Sequence, residues 1–188
     1  MGGRIVEQWV DALLAADLLA PGFSLVTISY RGNPLNAAVY RDGLIGLAKA
    51  DLEFHTRALH ELLQARVGGR AVAVEGPAVV TEASGGIPGV PYYMAQLLDV
   101  MGERFEDPLA SMLRMFSSKL PLGTGAAELD EHGLLRMDDR ELTAARLLLC
   151  RALQTVVANG LDVLLLIAGP NGEVQERMTP GFKAAVLR

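Results

Sequence analysis

Two apolar, β-branched runs separated by one long helical pattern constrain this chain more than any other feature. Phe23 to Tyr30 (FSLVTISY) and Ala71 to Thr81 (AVAVEGPAVVT) read as strands. Between them, from about Leu44 to Arg66, Leu52, Leu59, Leu62 and Leu63 fall on one face of a helix. Pro21-Gly22 and Gly68-Gly69 punctuate the joins. A helix over 4–20 precedes the first strand, with Ile5, Trp9, Ala12, Leu13 and Ala16 at helical spacing. Alternation of this kind predicts a single α/β layer structure with more helix than strand. Gly76-Pro77 interrupts the second run, and a proline donates no ladder hydrogen bond. A bulge or a sheet edge is expected there.

Downstream, Glu82 to Pro91 reads as a flexible loop and Tyr92 to Glu103 as a helix. Asp107-Pro108 is an N-cap followed by proline at the first helical position, opening a helix to about Lys119. Asp138-Asp139 caps a long helix from about Arg140 to Ala158, closed by Asn159-Gly160. The run LDVLLLIAG at 161–169 fits a strand or a short buried helix, and periodicity does not decide. No repeat or low-complexity linker divides the chain, so residues 1–188 are expected to form one domain.

Composition excludes several functions. The net charge is -5, and no Lys/Arg cluster carries interleaved aromatics, which argues against nucleic-acid binding. The single cysteine, Cys150, rules out a disulfide within the chain and points to a reducing, cytoplasmic setting. It sits in the helical run LLLC and reads as a small buried hydrophobe. The N-terminus carries no signal-peptide core, and no apolar run is long enough to span a bilayer. His55, His60 and His132 lack partners at ligand spacing, so no metal site is expected; His55 reads as a hydrogen-bonded boundary residue. Nucleophile-elbow, Walker A and GxGxxG motifs are missing.

The residues left with chemistry are Tyr30, Tyr40 and Lys49. A lysine beside a tyrosine lowers the phenol pKa and favours the phenolate left after proton transfer. Its ammonium also hydrogen-bonds ribose hydroxyls. Nine residues of ideal helix turn about 900° and rise about 13.5 Å, which puts Tyr40 and Lys49 on opposite faces. A shared site therefore requires Tyr40 to precede the helix, and Gly43 and Gly46 permit that break.

The text SYRGNPLNAAVYRDGLIGLAK, from Ser29 to Lys49, resembles the trans-2-enoyl-CoA (enoyl-acyl-carrier-protein) reductase family. The matching residues are Ser29, Tyr30 and Gly32, then Tyr40-Arg41-Asp42-Gly43, Ile45-Gly46 and Ala48-Lys49. A second block, VVTEASGGIPGVPYYMAQLLDVM, matches through Val80, Thr81, Ala83, Ser84, Ile87 and Pro88. LLRMDDREL around Asp138 and Asp139 is a weaker match, as is GFKAAVLR at 181–188. Asn33-Pro34 and Gly85-Gly86 depart from the family's usual text.

The resemblance implies a helix-rich, partial Rossmann-like (short-chain-dehydrogenase-like) layer. It implies Tyr40 as proton donor, Lys49 as the lysine that orients NADH, and Tyr30 as a second tyrosine near the thioester. By the same resemblance Thr81, Ala83 and Ser84 join Lys49 in binding the cofactor, and Ile87, Pro88 and Tyr92 join Tyr30 in binding the acyl substrate. The reaction implied is hydride delivery to an enoyl thioester. The family's pyrophosphate-binding half is not recognisable in this sequence, so a separate nucleotide-binding chain or a homo-oligomer is the expected partner. Two other readings remain open at this stage. One is cofactor-free isomerisation, dehydration or cyclisation of an acyl or polyketide chain. The other is a non-catalytic oligomeric binding protein.

Overall fold

In the computed structural model β1 (Ser24–Ser29) and β2 (Arg70–Glu75) run parallel, paired from Ser24 opposite Arg70 to Ser29 opposite Glu75. A parallel pair needs a crossover connection, and α2 (Leu44–Val67) supplies it. The structure describes residues 2–37, 40–87, 89–120, 127–158, 164–168 and 174–178. Its contacts group into two units, Met1–Ala145 and Arg146–Arg188, where the sequence predicts one domain.

In the first unit α1 (Arg4–Ala15) precedes β1. After β2 come the one-turn helix α3 (Glu82–Gly85), α4 (Val90–Met101) with a 3-10 turn at Gly102–Arg104, and α5 (Pro108–Arg114) with a π-helical turn at Met115–Lys119. The third strand, β3 (Leu134–Arg136), lies parallel to β2 on its far side, giving the order β1-β2-β3. α6 (Asp139–Ala158) follows. β4 (Leu164–Ala168) and β5 (Val174–Met178), in the second unit, pair antiparallel, which resolves the ambiguous apolar run as strand. Asn159-Gly160 and the stretch 181–188 lie outside the described residues.

The sheet is covered on both faces, as its apolar strands require. Ala71 packs with Leu59 and Leu63 of α2 and Val10 of α1. Its neighbours Val72 and Val74 join Met115, Leu120, Leu135 and Met137 on the opposite face. This alternation is the two-residue period of a strand. α2 buries Leu52, Glu53, Thr56, Leu59 and Leu63, one stripe at helical spacing. Gly68 ends it in the left-handed conformation, φ 62°.

Several expectations hold at residue level. Asp107 caps α5, its Oδ1 accepting from the Ala110 amide at 2.9 Å. β2 stops at Glu75, before Pro77, so the proline follows the central strand instead of interrupting it. The expected flexible loop contains α3, held by reciprocal bonds between Thr81 and Ser84. Asp138 does not cap α6 through its side chain, because that carboxylate forks onto Arg136 at 2.8 and 2.6 Å. Cys150 is exposed instead of buried. It falls six residues beyond Ala144, about 240° around the helix from that buried position. No described helix is long and apolar enough to cross a membrane.

Candidate active site

Tyr40 sits in a turn ahead of α2, where a site shared with Lys49 requires it. The Tyr40 amide donates to the Asn36 carbonyl at 3.2 Å, and the Gly43 amide donates to the Tyr40 carbonyl at 3.2 Å. A Cβ built on Gly46 would collide with the Tyr40 and Arg41 carbonyls, so a side chain there would force the turn away from the helix start. Arg41 pins the turn from the other side, its Nη1 lying 3.1 Å from Glu53 Oε1 on α2. Lys49 Nζ donates to the Ile28 carbonyl at 2.9 Å, tying the first turns of α2 to the end of β1.

These residues open onto a cleft of about 440 Å³. Tyr30, Tyr40 and Lys49 line it from the β1 side, and Ala78, Val79, Thr81, Ser84 and Ile87 from the segment after β2. Val90, Tyr93 and Met94 of α4 complete the wall. The lining is mainly apolar with a few polar groups, the usual make-up of a small-molecule site.

Three tyrosines meet in the cleft, and their hydroxyls are not equivalent. Tyr30 and Tyr93 each donate to Glu141 Oε1 at 2.8 Å. Asn33 Nδ2 donates to the same oxygen at 2.9 Å, and the Ala78 amide donates to Oε2. Tyr40 packs edge-on against Tyr30, ring centroids 4.7 Å apart. Its hydroxyl has no hydrogen-bond partner among the described residues. Burial, then the Glu141 charge, raises the Tyr40 phenol above its ordinary value. The same two causes push Tyr30 and Tyr93 much further up. Burial and the Glu141 charge, and not Lys49, move the Tyr40 phenol in this structure.

A charge cluster with buried carboxylates joins the end of β1 to α2 and β2. Glu53 Oε1 accepts from Ser29 Oγ at 2.8 Å, and its Oε2 from Arg31 Nη2 at 2.8 Å. Arg31 Nε reaches Glu75 Oε1 at 3.2 Å. Burial alone would raise the Glu53 carboxyl; Ser29, Arg31 and Arg41 outweigh it and hold the group below its ordinary range. Glu75 is fully buried, and its Oε2 has no hydrogen-bond partner among the described residues. Burial, then the Glu53 charge, lifts it to about 7, with Arg31 opposing and Asp138 adding. Arg136 of β3 also faces it.

That shift carries a pH prediction. The fold prefers Glu75 neutral, so its contribution to stability is present below the ordinary carboxylate range and is lost as pH rises through about 7. Glu75→Gln mimics the neutral acid. Its Tm relative to the unsubstituted chain is expected to climb by several degrees between about pH 5 and about pH 8. A difference that stays constant across that range would show that Glu75 does not titrate in the folded chain.

The model of the trans-2-enoyl-CoA reductase catalytic region matches residues 1–121 of this chain. The chain belongs to the trans-2-enoyl-CoA reductase family. An enoyl-acyl-carrier-protein reductase [NADH] of Streptomyces avermitilis is 42% identical over 143 residues, and a trans-2-enoyl-CoA reductase [NADH] of Clostridium acetobutylicum 39% identical over 144. Each alignment covers 76% of this chain and 36% of the relative, so the chain spans just over a third of the length of these curated relatives. The crystal structure of the Clostridium reductase in complex with NADH superposes with a TM-score of 0.74 at 35% identity, covering 85% of this chain and 39% of that one. The Treponema denticola reductase in complex with NAD gives 0.69 at 32% identity, covering 79% and 38%.

Of the residues singled out from the sequence of this reductase-family chain, Tyr30, Tyr40, Lys49, Thr81, Ser84 and Ile87 converge on the one cleft. Ala83 lies in α3, and Pro88 lies outside the described residues. Tyr92 is 74% exposed and does not line the cleft; Tyr93 does. The reason is helical phase: Val90, Met94, Leu97 and Met101 form the buried face of α4, and position 93 adjoins it while 92 does not. Sequence reading missed Tyr93, Asn33, Asn36 and Glu141. The α4 periodicity carried the signal for Tyr93. Glu141 sits in the weak LLRMDDREL match, in phase with the buried Ala144 and Ala145. No group of three metal-ligating side chains occurs among the described residues.

Proposed function

We propose that this chain is the catalytic region of an NADH-dependent enoyl-thioester reductase, with Tyr40 as the proton donor and a cytoplasmic acyl-CoA or acyl-carrier-protein thioester as substrate. The observation that carries this reading is the Tyr40 hydroxyl, the one phenol in the cleft not held by Glu141. The three-stranded parallel sheet and its covering helices are then part of a Rossmann-like, short-chain-dehydrogenase-like layer.

The cleft's donors fit one end of a dinucleotide. Lys49 gives one N–H to the Ile28 carbonyl and has two left for ribose hydroxyls. Thr81 Oγ1 accepts from the Ser84 amide, leaving its own proton to donate to the nicotinamide carboxamide. Bound NADH supplies a hydride for Cβ of the enoyl thioester. Tyr40 hydrogen-bonds the thioester carbonyl oxygen, steadies the enolate oxygen as charge develops there, and gives its proton to the enolate, which tautomerises so that the hydrogen ends on Cα of the saturated thioester; the Tyr40 phenolate is then reprotonated from solvent. Tyr30, edge-on to Tyr40, fixes that ring. Ile87, Val90 and Met94 form the apolar wall for the acyl chain. Binding of the pyrophosphate is assigned to a separate nucleotide-binding segment or chain.

The test is NADH binding by fluorescence titration, together with loss of NADH absorbance on addition of a short trans-2-enoyl-CoA. Saturable binding and enoyl-dependent oxidation are expected. Absence of both, with no nucleotide-binding protein co-purifying, would sink the reading. Consumption of the thioester without any nicotinamide would assign the cleft to cofactor-free chemistry instead.

A further inference from the structure

Glu141 is an expensive residue to place where it is. It is 2% exposed, and the groups that act on its carboxyl are neutral donors, with no cation among them in the described residues. A buried carboxylate without a counter-charge costs several kcal/mol unless its lone pairs are satisfied. Here four neutral donors satisfy them: the Tyr30 hydroxyl, the Tyr93 hydroxyl, Asn33 Nδ2 and the Ala78 amide. The donors come from three separate segments: the loop after β1, the stretch after β2, and α4. Asn36 extends the set by donating to the Tyr30 hydroxyl at 3.0 Å and accepting from the Asn33 amide at 2.7 Å. Gly32, at φ 73°, makes the tight loop in which Asn33 and Asn36 meet.

We propose that Glu141 is a positioning residue of this cleft: its carboxylate clamps the Tyr30 and Tyr93 hydroxyls and the Ala78 amide, leaving Tyr40 as the phenol free to act on a bound carbonyl. The clamp orients Tyr30, and Tyr30 in turn sets the Tyr40 ring through their edge-on contact. It also fixes the backbone at Pro77–Val79, which floors the cleft. The titratable groups facing the carboxylate are Tyr30 and Tyr93 by hydrogen bond and Tyr40 by its charge alone. Burial, then the Glu141 charge, raises the Tyr40 phenol, in keeping with a group that enters the reaction protonated; burial also raises the Glu141 carboxyl, against its four hydrogen bonds.

The inference about roles in turnover rests on the reductase reading, whereas the clamp itself does not. The test therefore reads the tyrosines directly. In the full chain with isotope-labelled tyrosine, ring-carbon NMR across alkaline pH is expected to show Tyr30, Tyr40 and Tyr93 all ionising at lower pH in Glu141→Gln than in the unsubstituted chain. Tyr30→Phe is the companion variant. It removes one donor from Oε1 and is expected to shift the Tyr93 resonance, because the two hydroxyls share that oxygen. If turnover is found, Glu141→Gln should lower kcat about a hundredfold with little change in KM for the thioester, and move the alkaline limb of the kcat profile down. Glu141→Asp should recover part of kcat. Unchanged tyrosine titrations in Glu141→Gln, or an unmoved Tyr93 resonance in Tyr30→Phe, overturn the clamp. Shifted titrations with no NADH binding, no turnover and no co-purifying nucleotide-binding protein leave the clamp standing and remove the reductase reading alone.

Discussion

Tyr40→Phe is expected to lower NADH-dependent turnover of a trans-2-enoyl thioester by about 100- to 10,000-fold, the usual share of a general acid. The substitution removes one oxygen from a ring that stays packed against Tyr30, so the fold and the cleft wall should be unaffected. No described group bonds the Tyr40 hydroxyl, and deleting it strands no buried partner. Thermal stability should therefore shift by well under 1 kcal/mol, and NADH affinity should be retained. Steady-state kinetics beside a thermal melt separates these outcomes. Wild-type turnover in Tyr40→Phe would remove Tyr40 from the chemistry. A matching loss in Tyr30→Phe alone would transfer the role to Tyr30.

Glu53→Ala is expected to have the largest effect on stability, on the order of 3–5 kcal/mol. Its carboxylate is 2% exposed and serves Ser29 on β1, Arg31 in the following loop and Arg41 in the Tyr40 turn. Removing it leaves two guanidiniums and a hydroxyl without their shared acceptor, and the remaining carboxylate, Glu75, already holds Arg31. Loss of the Arg41 anchor also frees the Tyr40 turn, so turnover should fall alongside stability. Urea unfolding measures the first and kinetics the second. A change below about 1 kcal/mol would mean that these charges are solvated in solution and do not hold β1, α2 and the turn together.

The α/β alternation was legible because each join carries its own punctuation. Gly68 closes α2, Asp107 caps α5, and Pro77 marks the end of β2. The Tyr40 turn was legible too: helical geometry excludes a shared site unless the tyrosine lies ahead of the helix, and Gly43 and Gly46 permit that. The Glu141 clamp was not. It joins residues 48 to 111 positions apart, and neither spacing nor composition marks a glutamate near the start of a helix as buried. The Tyr92/Tyr93 assignment failed for a simpler reason, since the helical phase of α4 already distinguished the two. β3 was missed because three residues are too short to show a period.

One bond joins the sheet's rim to the cleft. Arg70 and Gly76 donate to the Phe23 and Ser29 carbonyls, so the odd-numbered residues of β1 turn toward β2. Ser24, Val26 and Ile28 accordingly present their amides and carbonyls to the outer rim, where no described strand lies. Lys49 has already taken the Ile28 carbonyl. A strand arriving at that rim can extend the ladder past Val26 only by displacing the ammonium, whereas a ligand in the cleft can take the two N–H groups that Ile28 leaves over. The same ammonium thus closes the sheet's open rim and faces the cleft, so a strand that displaced it from Ile28 would also disturb the cleft wall.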